Sequence, residues 1–162
     1  MLSKLFKKKK DDGKTCKLYL PKESELHSLE DVPDVAFAEK MLGDGFAIKP
    51  FENVIYSPVA GTASLVAETK HAVGITTANG AEVLVHFSTD SVALYGRGLE
   101  VMVRTGDTVQ VGDPLIQYDW DEIKDQITDT ITPVVVTNIM DYLYEVNLQA
   151  ESEAVVMTVT KK

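Results

Sequence analysis

The chain has 162 residues, is 44% hydrophobic and carries a net charge of −9. That is length and apolar content for one packed domain, which excludes global disorder and leaves no room for two full domains. No apolar run reaches a membrane span, no signal peptide is visible, and the single cysteine, Cys16, excludes an internal disulfide or a cysteine metal cluster. The acidity argues against nucleic acid as a partner and suits a basic protein. With no span or signal peptide visible, the chain is expected to be cytoplasmic, and a monomer is expected.

Residues 1–14 read as a flexible basic amphipathic tail. Lys4, Lys7, Lys8, Lys9 and Lys10 surround Leu2, Leu5 and Phe6, which would share one side of a short helix. A weak contact of residues 1–10 with the inner face of the membrane and a solubilising tail both fit this pattern. Residues 15–162 read as one domain. Strands are expected at 17–20 and 26–29. His27, with no partner nearby in sequence, reads as a surface residue. Good helix formers fill 36–42, with Asp34 ahead as a cap and Gly43-Asp44-Gly45 as a stop.

From there short strands recur: 46–48, 54–56, 62–66, 72–76 and 82–87. Turns fall at Ser57-Pro58, Ala60-Gly61 and Asn79-Gly80. Residues 90–99 read as a loop. Two matching turns, Gly106-Asp107 and Gly112-Asp113, bracket another short strand. A short helix is expected at 120–126. Residues 131–137 carry no charge and read as a buried strand. Strands at 145–148 and 155–159 close the chain. The pattern predicts an all-β fold, an antiparallel β-sandwich or barrel of the barrel-sandwich hybrid kind, with one or two short helices.

The segment 69–92 carries two of the three histidines. Asn79-Gly80 predicts a two-residue hairpin loop. Ala78 then faces Ala81, Val73 faces His86, and His71 faces Ser88. Side chains alternate with period two, so His71 and His86 fall on one face as diagonal neighbours. Thr69 and Asp90 also land opposite each other there. Two unrelated surface histidines are the plainer explanation, but the shared face favours a site. A one-residue bulge would undo this geometry.

Several chemistries lack their parts. There is no G-x-S-x-G serine, no phosphate-cradling glycine loop, no dinucleotide fingerprint and no H-E-x-x-H helix. A biotin or lipoate carrier needs a lysine at a hairpin tip, where this chain has Asn79-Gly80. Two histidines make an incomplete zinc site, which argues against a metallo-hydrolase using His86 and Asp90. No cofactor and no metal is expected. Phosphohistidine chemistry remains: a neutral imidazole is nucleophilic near pH 7, a second imidazole can bind phosphoryl oxygens, and a hydroxyl such as Thr69 can orient that second ring.

Seven segments then carry a family resemblance. They are Leu29-Glu30-Asp31-Val32-Pro33-Asp34, residues 37–50 (FAEKMLGDGFAIKP), Ser57-Pro58-Val59-Ala60-Gly61, Thr69-Lys70-His71-Ala72, Val85-His86-Phe87, Asp90-Ser91-Val92 and Thr132-Pro133-Val134-Val135. The chain resembles the glucose-type IIA component of the bacterial phosphoenolpyruvate-dependent sugar phosphotransferase system. The resemblance implies a phosphocarrier that takes a phosphoryl group from phospho-HPr on His86 and passes it to a IIB domain during sugar uptake. It implies that His71 binds the phosphate and that Thr69 holds His71. Asp34 and Asp90 would meet the basic face of HPr. Phe37, Met41, Leu42 and Val92 would form an apolar docking rim. The alternative it implies is regulatory: an unphosphorylated face that inhibits transporters or metabolic enzymes, with His71 and His86 sharing zinc with such a partner. Ser88 stands where the family usually has glycine, and is expected to stiffen or crowd the loop beside His86. Ala93 stands where an acidic residue is common.

Overall fold

The computed structural model describes residues 13–162, so the tail expected at 1–14 lies almost wholly outside the described residues, as does the membrane contact expected of it. Lys14 is already tied to the fold: its carbonyl accepts from Lys161 N at 2.8 Å and from Asn79 Nδ2 at 2.9 Å. Among the described residues no helix is long and apolar enough to cross a membrane.

Among the described residues every strand pairing is antiparallel. The largest sheet has seven strands in the order β2 (Ser24–His27), β3 (Asp44–Pro50), β11 (Thr132–Val136), β7 (Glu82–His86), β6 (Ala72–Thr76), β5 (Gly61–Val66) and β9 (Thr108–Val109). Two three-stranded sheets complete the sandwich. One runs β1 (Thr15–Tyr19), β13 (Val155–Lys161), β12 (Tyr142–Val146). The other runs β4 (Val54–Tyr56), β10 (Pro114–Tyr118), β8 (Leu99–Val101). Two helical turns are added, α1 (Val35–Ala38) and α2 (Trp120–Ile123). The all-β expectation therefore holds.

The large sheet is buried on both faces around its centre. Val83, Val85 and Phe87 point one way, into the main core with Phe46, Ile48, Val134 and Val136. Alternation sends Leu84 and His86 the other way, where Leu84 packs on a second cluster of Leu29, Val32, Phe37, Ala47, Ile131 and Val135. Strand β11 is buried at every position, as its uncharged sequence predicts. Its Pro133 is tolerated because the ladder to β7 begins only at Val134, so the missing N–H breaks no bond on that side. Gly45 lets β3 lie against β11: a Cβ there would stand 2.0 Å from the Val134 carbonyl oxygen.

Some bounds shift: β2 runs Ser24–His27 rather than 26–29, α2 ends at Ile123 rather than 126, and β12 runs Tyr142–Val146 rather than 145–148. Three further local expectations are corrected. The helix expected at 36–42 ends at Ala38. Asp34 caps it as expected, with Oδ1 accepting from Ala36 N at 2.9 Å. Lys40 then turns left-handed (φ 60°), so Lys40 N donates to Phe37 O and Met41 N to Ala36 O, a Schellman closure made without glycine. The stop therefore precedes Gly43-Asp44-Gly45, two of whose residues already belong to β3. His27 is not a lone surface histidine: Nε2 lies 2.5 Å from Glu25 Oε1 and Nδ1 3.5 Å from Asp31 Oδ2.

The third correction is the hairpin register. Thr77 N donates to Ala81 O at 2.9 Å and Gly80 N to Thr77 O at 3.0 Å, making a three-residue loop of Ala78, Asn79 and Gly80. Gly80 takes the left-handed position at φ 86°. Ala72, not Val73, therefore pairs with His86, and Val73 pairs with Val85. The cause is tertiary. The buried Asn79 amide donates to the carbonyls of Lys14 and Val159, and its oxygen accepts from Thr77 Oγ1. Asn79 is thus spent on anchoring the loop to β1 and β13 rather than on a tight type I′ turn.

Candidate functional site

The shifted register ought to separate the histidines, since it sets His71 opposite Phe87 on the core-facing parity. The rings meet nonetheless. His71 lies just ahead of β6, after Lys70 at φ 62°, so strand alternation does not govern its side chain. Its carbonyl still accepts from Phe87 N at 2.7 Å, which holds the two segments together. The imidazole centroids are 4.7 Å apart and edge-on, with an interplanar angle of 75°. The β6–β7 ladder ends before Thr69 and Asp90, which therefore do not form the facing pair expected of them.

Each ring has a fixed partner at Nδ1. Thr69 Oγ1 lies 2.5 Å from His71 Nδ1. His86 Nδ1 lies 2.7 Å from the Ser88 carbonyl oxygen. A carbonyl only accepts, so Nδ1 of neutral His86 carries the hydrogen and Nε2 carries the lone pair. The Phe37 ring stands over His86 at 5.1 Å between centroids, tilted by 56°. Phe37 itself is only 3% exposed, so it is a wall behind His86 rather than an exposed rim residue.

Burial sets the charge state. It holds His86 below the ordinary histidine value of 6.5, opposed by the bond to the Ser88 carbonyl and by the negative charge of Asp34. Burial also lowers His71, and the neighbouring His86 pushes the same way. Burial therefore favours the neutral form of both rings.

The other expected residues lie in or just ahead of α1, in the segment after it, and in the segment after β7. Asp34 heads α1, close enough to act on His86. Met41 (69% exposed), Leu42 and Val92 (51% exposed) are open to solvent. Asp90 is exposed at the start of the 3₁₀ turn Ser91–Leu94. Val35 in α1 and Tyr95 after the 3₁₀ turn are equally exposed large apolar groups on the same elements. The sequence reading passed over both. A cue existed for Val35, an apolar residue directly after the cap; Tyr95 had none. Among the described residues, no group of three or more His, Cys, Asp or Glu side chains is placed to hold a metal.

Fold and site together define an antiparallel β-sandwich protein with a two-imidazole centre on the outer face of its largest sheet. Residues 16–142 match the family of the phosphoenolpyruvate-dependent sugar phosphotransferase system, EIIA 1. The glucose-specific EIIA component of Staphylococcus epidermidis is 45% identical over 138 residues, covering 85% of this chain and 83% of that protein. The same component of Staphylococcus aureus (strain COL) is 42% identical over 155 residues, covering 96% and 93%. The structure of glucose permease IIA from Mycoplasma capricolum superposes with a TM-score of 0.80 at 34% identity, covering 90% of this chain and 96% of that one. The chain belongs to the EIIA 1 family of this phosphotransferase system, a family of phosphocarriers.

Proposed function

We propose that His86 is the phosphoacceptor, that HPr is the donor and that a IIB domain is the acceptor. The observation that carries this is the His86 Nδ1 bond to the Ser88 carbonyl at 2.7 Å, which leaves Nε2 as the nucleophile. Nε2 attacks the phosphorus of phospho-HPr. The P–N bond to the HPr histidine breaks as the new P–N bond forms. The positive charge gained by the His86 ring is stabilised through Nδ1–H on the Ser88 carbonyl and by the nearby Asp34 carboxylate. A IIB thiolate then takes the phosphoryl group, and the electron pair of the P–N bond returns to Nε2.

His71 assists. With the Thr69 hydroxyl donating to His71 Nδ1, the hydrogen of that ring sits on Nε2, free to bond a phosphoryl oxygen. Such transfer asks for positioning and charge stabilisation more than for covalent help. Asp34 and Asp90 supply negative charge for the basic face of HPr, and Met41, Leu42 and Val92 supply apolar contact, with Phe37 beneath as support. Glucose, named in the relatives, is the sugar to test first.

The test is acid-labile labelling with radioactive phosphoenolpyruvate, enzyme I and HPr. His86→Ala is expected to take no label. His71→Ala is expected to take label and to pass it on slowly. Label persisting in His86→Ala overturns the assignment.

A further inference from the structure

The short segment after His86 is fastened in an unusual way. Ser88 has φ 56°, a left-handed backbone that disfavours every residue with a Cβ. Serine has no intrinsic liking for this region, so something must hold it there. Ser88 is fully buried, and its Oγ donates to the carbonyl of Asp129 at 2.6 Å, a residue 41 positions away. No local rule makes that bond. It joins the segment after β7 to the turn that leads into β11.

The receiving turn is itself secured. Asp129 Oδ1 accepts from Ile131 N at 2.9 Å, and Lys49 Nζ of β3 lies 3.4 Å from the same oxygen. Beyond Ile131, β11 pairs with β3 on one side and β7 on the other. The Ser88 hydroxyl thus rests on a carbonyl that the central strands hold in place. On the other side, Ser91 Oγ donates to the Phe87 carbonyl and Phe87 N to the His71 carbonyl. The carbonyl of Ser88 is the group that meets His86 Nδ1, and its direction follows directly from the Ser88 backbone angles.

We infer that Ser88 is a positioning residue for phosphoryl transfer, its hydroxyl clamped on the Asp129 carbonyl so that its own carbonyl holds the His86 ring with Nε2 facing the phosphoryl donor. This rests on His86 being the phosphoacceptor. Ser88 touches no reacting atom. It acts through the tautomer and orientation of one imidazole. The clamp also changes how the left-handed backbone is obtained: glycine would reach it by freedom, whereas this chain reaches it by a side-chain tether that restricts motion.

The test uses Ser88→Gly, which accepts φ 56° and removes the tether together with the Cβ, and Ser88→Ala, which removes the tether and keeps the Cβ. The first readout is ¹⁵N NMR of the His86 ring in the unphosphorylated protein. Wild type is expected to hold hydrogen at Nδ1. In Ser88→Gly that hydrogen is expected to exchange with water about tenfold faster, because one buried hydrogen bond no longer restrains the carbonyl. Ser88→Ala is expected to show a mixture of both tautomers. The second readout is single-turnover phosphorylation by phospho-HPr. The maximal rate should fall about fivefold in Ser88→Gly and further in Ser88→Ala, with the half-saturating HPr concentration unchanged.

Wild-type tautomer, exchange and rate in Ser88→Gly overturn the inference, even with a lower melting temperature, for that is what a purely structural serine would give. Wild-type protein that takes no label on His86 removes the phosphoacceptor reading instead, and the two failures are distinct because the NMR readout needs no phosphorylation.

Discussion

Phe37→Ala tests the link between packing and chemistry most directly. Phe37 is buried in the small outer cluster with Leu29, Val32, Ala47, Ile131 and Val135, and its ring covers one side of His86 at 5.1 Å. Removing a buried phenylalanine ring costs about 3–5 kcal/mol, from lost transfer free energy and the cavity left behind. For a domain of this size each kcal/mol shifts the melting temperature by about 2–4 °C, so a fall of roughly 6–20 °C is expected by calorimetry. The second consequence concerns charge. Burial is the largest cause holding His86 below 6.5. Water entering the vacated space weakens that penalty, so the His86 value moves up toward 6.5. More of the ring is then protonated at pH 6, and a protonated ring has no lone pair to attack phosphorus. Phosphorylation by phospho-HPr, measured at 20 °C where the variant remains folded, should drop more steeply between pH 8 and pH 6 than in wild type. ¹⁵N NMR titration of His86 reads the shift itself. A variant that loses stability while His86 titrates at its wild-type position, or lower, refutes the reasoning, because some wall other than Phe37 would then be excluding water.

Three further outcomes follow from the same geometry. Thr69→Val removes the 2.5 Å partner of His71 Nδ1 while keeping the side chain's shape; losing one hydrogen bond of about 1 kcal/mol should slow transfer to IIB about fivefold and release the His71 tautomer, read by rapid quench and ¹⁵N NMR. Asp34→Asn keeps the helix cap, since asparagine caps as well as aspartate, but removes the charge that raises His86. The His86 titration should move to lower pH, and association with HPr should weaken most at low salt, as seen by stopped flow at two ionic strengths. Finally, both histidines sit below 6.5 in the fold, so the folded state binds fewer protons than the unfolded one. Their contribution to stability is complete above about pH 6.5 and is lost as pH falls from there through the lowered folded values. Urea midpoints should therefore fall more between pH 7 and pH 5.5 for wild type than for His86→Gln; equal falls would contradict the burial argument.

Most of the strand order along the chain is legible from alternation and Gly/Pro punctuation, because period-two burial leaves a direct trace in residue type. The strands 54–56 and 72–76 have their expected bounds, and β11 is the uncharged buried strand its composition implies. The cap at Asp34 is legible for the same reason: it depends on neighbours two residues away. The helix length was not, since the left-handed turn at Lys40 has no residue-type signature. Resemblance to a family supplied roles for His86, His71 and Thr69 that alternation alone left equivalent.

The sequence by itself determined that a hairpin at Asn79-Gly80 would join the segments that carry the two histidines and Thr69, because contacts across a hairpin are local. Tertiary structure decided how. The Asn79 amide is drawn to the carbonyls of Lys14 and Val159, which lengthens the loop by one residue and shifts the register. His71 then reaches His86 from outside the strand rather than along it. Which nitrogen of His86 is free depends on the Ser88 carbonyl, and the direction of that carbonyl depends on a hydroxyl bonded to Asp129 across the sheet. No pattern of nearby residues encodes such a contact. It exists only once β3, β7 and β11 have packed side by side and brought the two segments together.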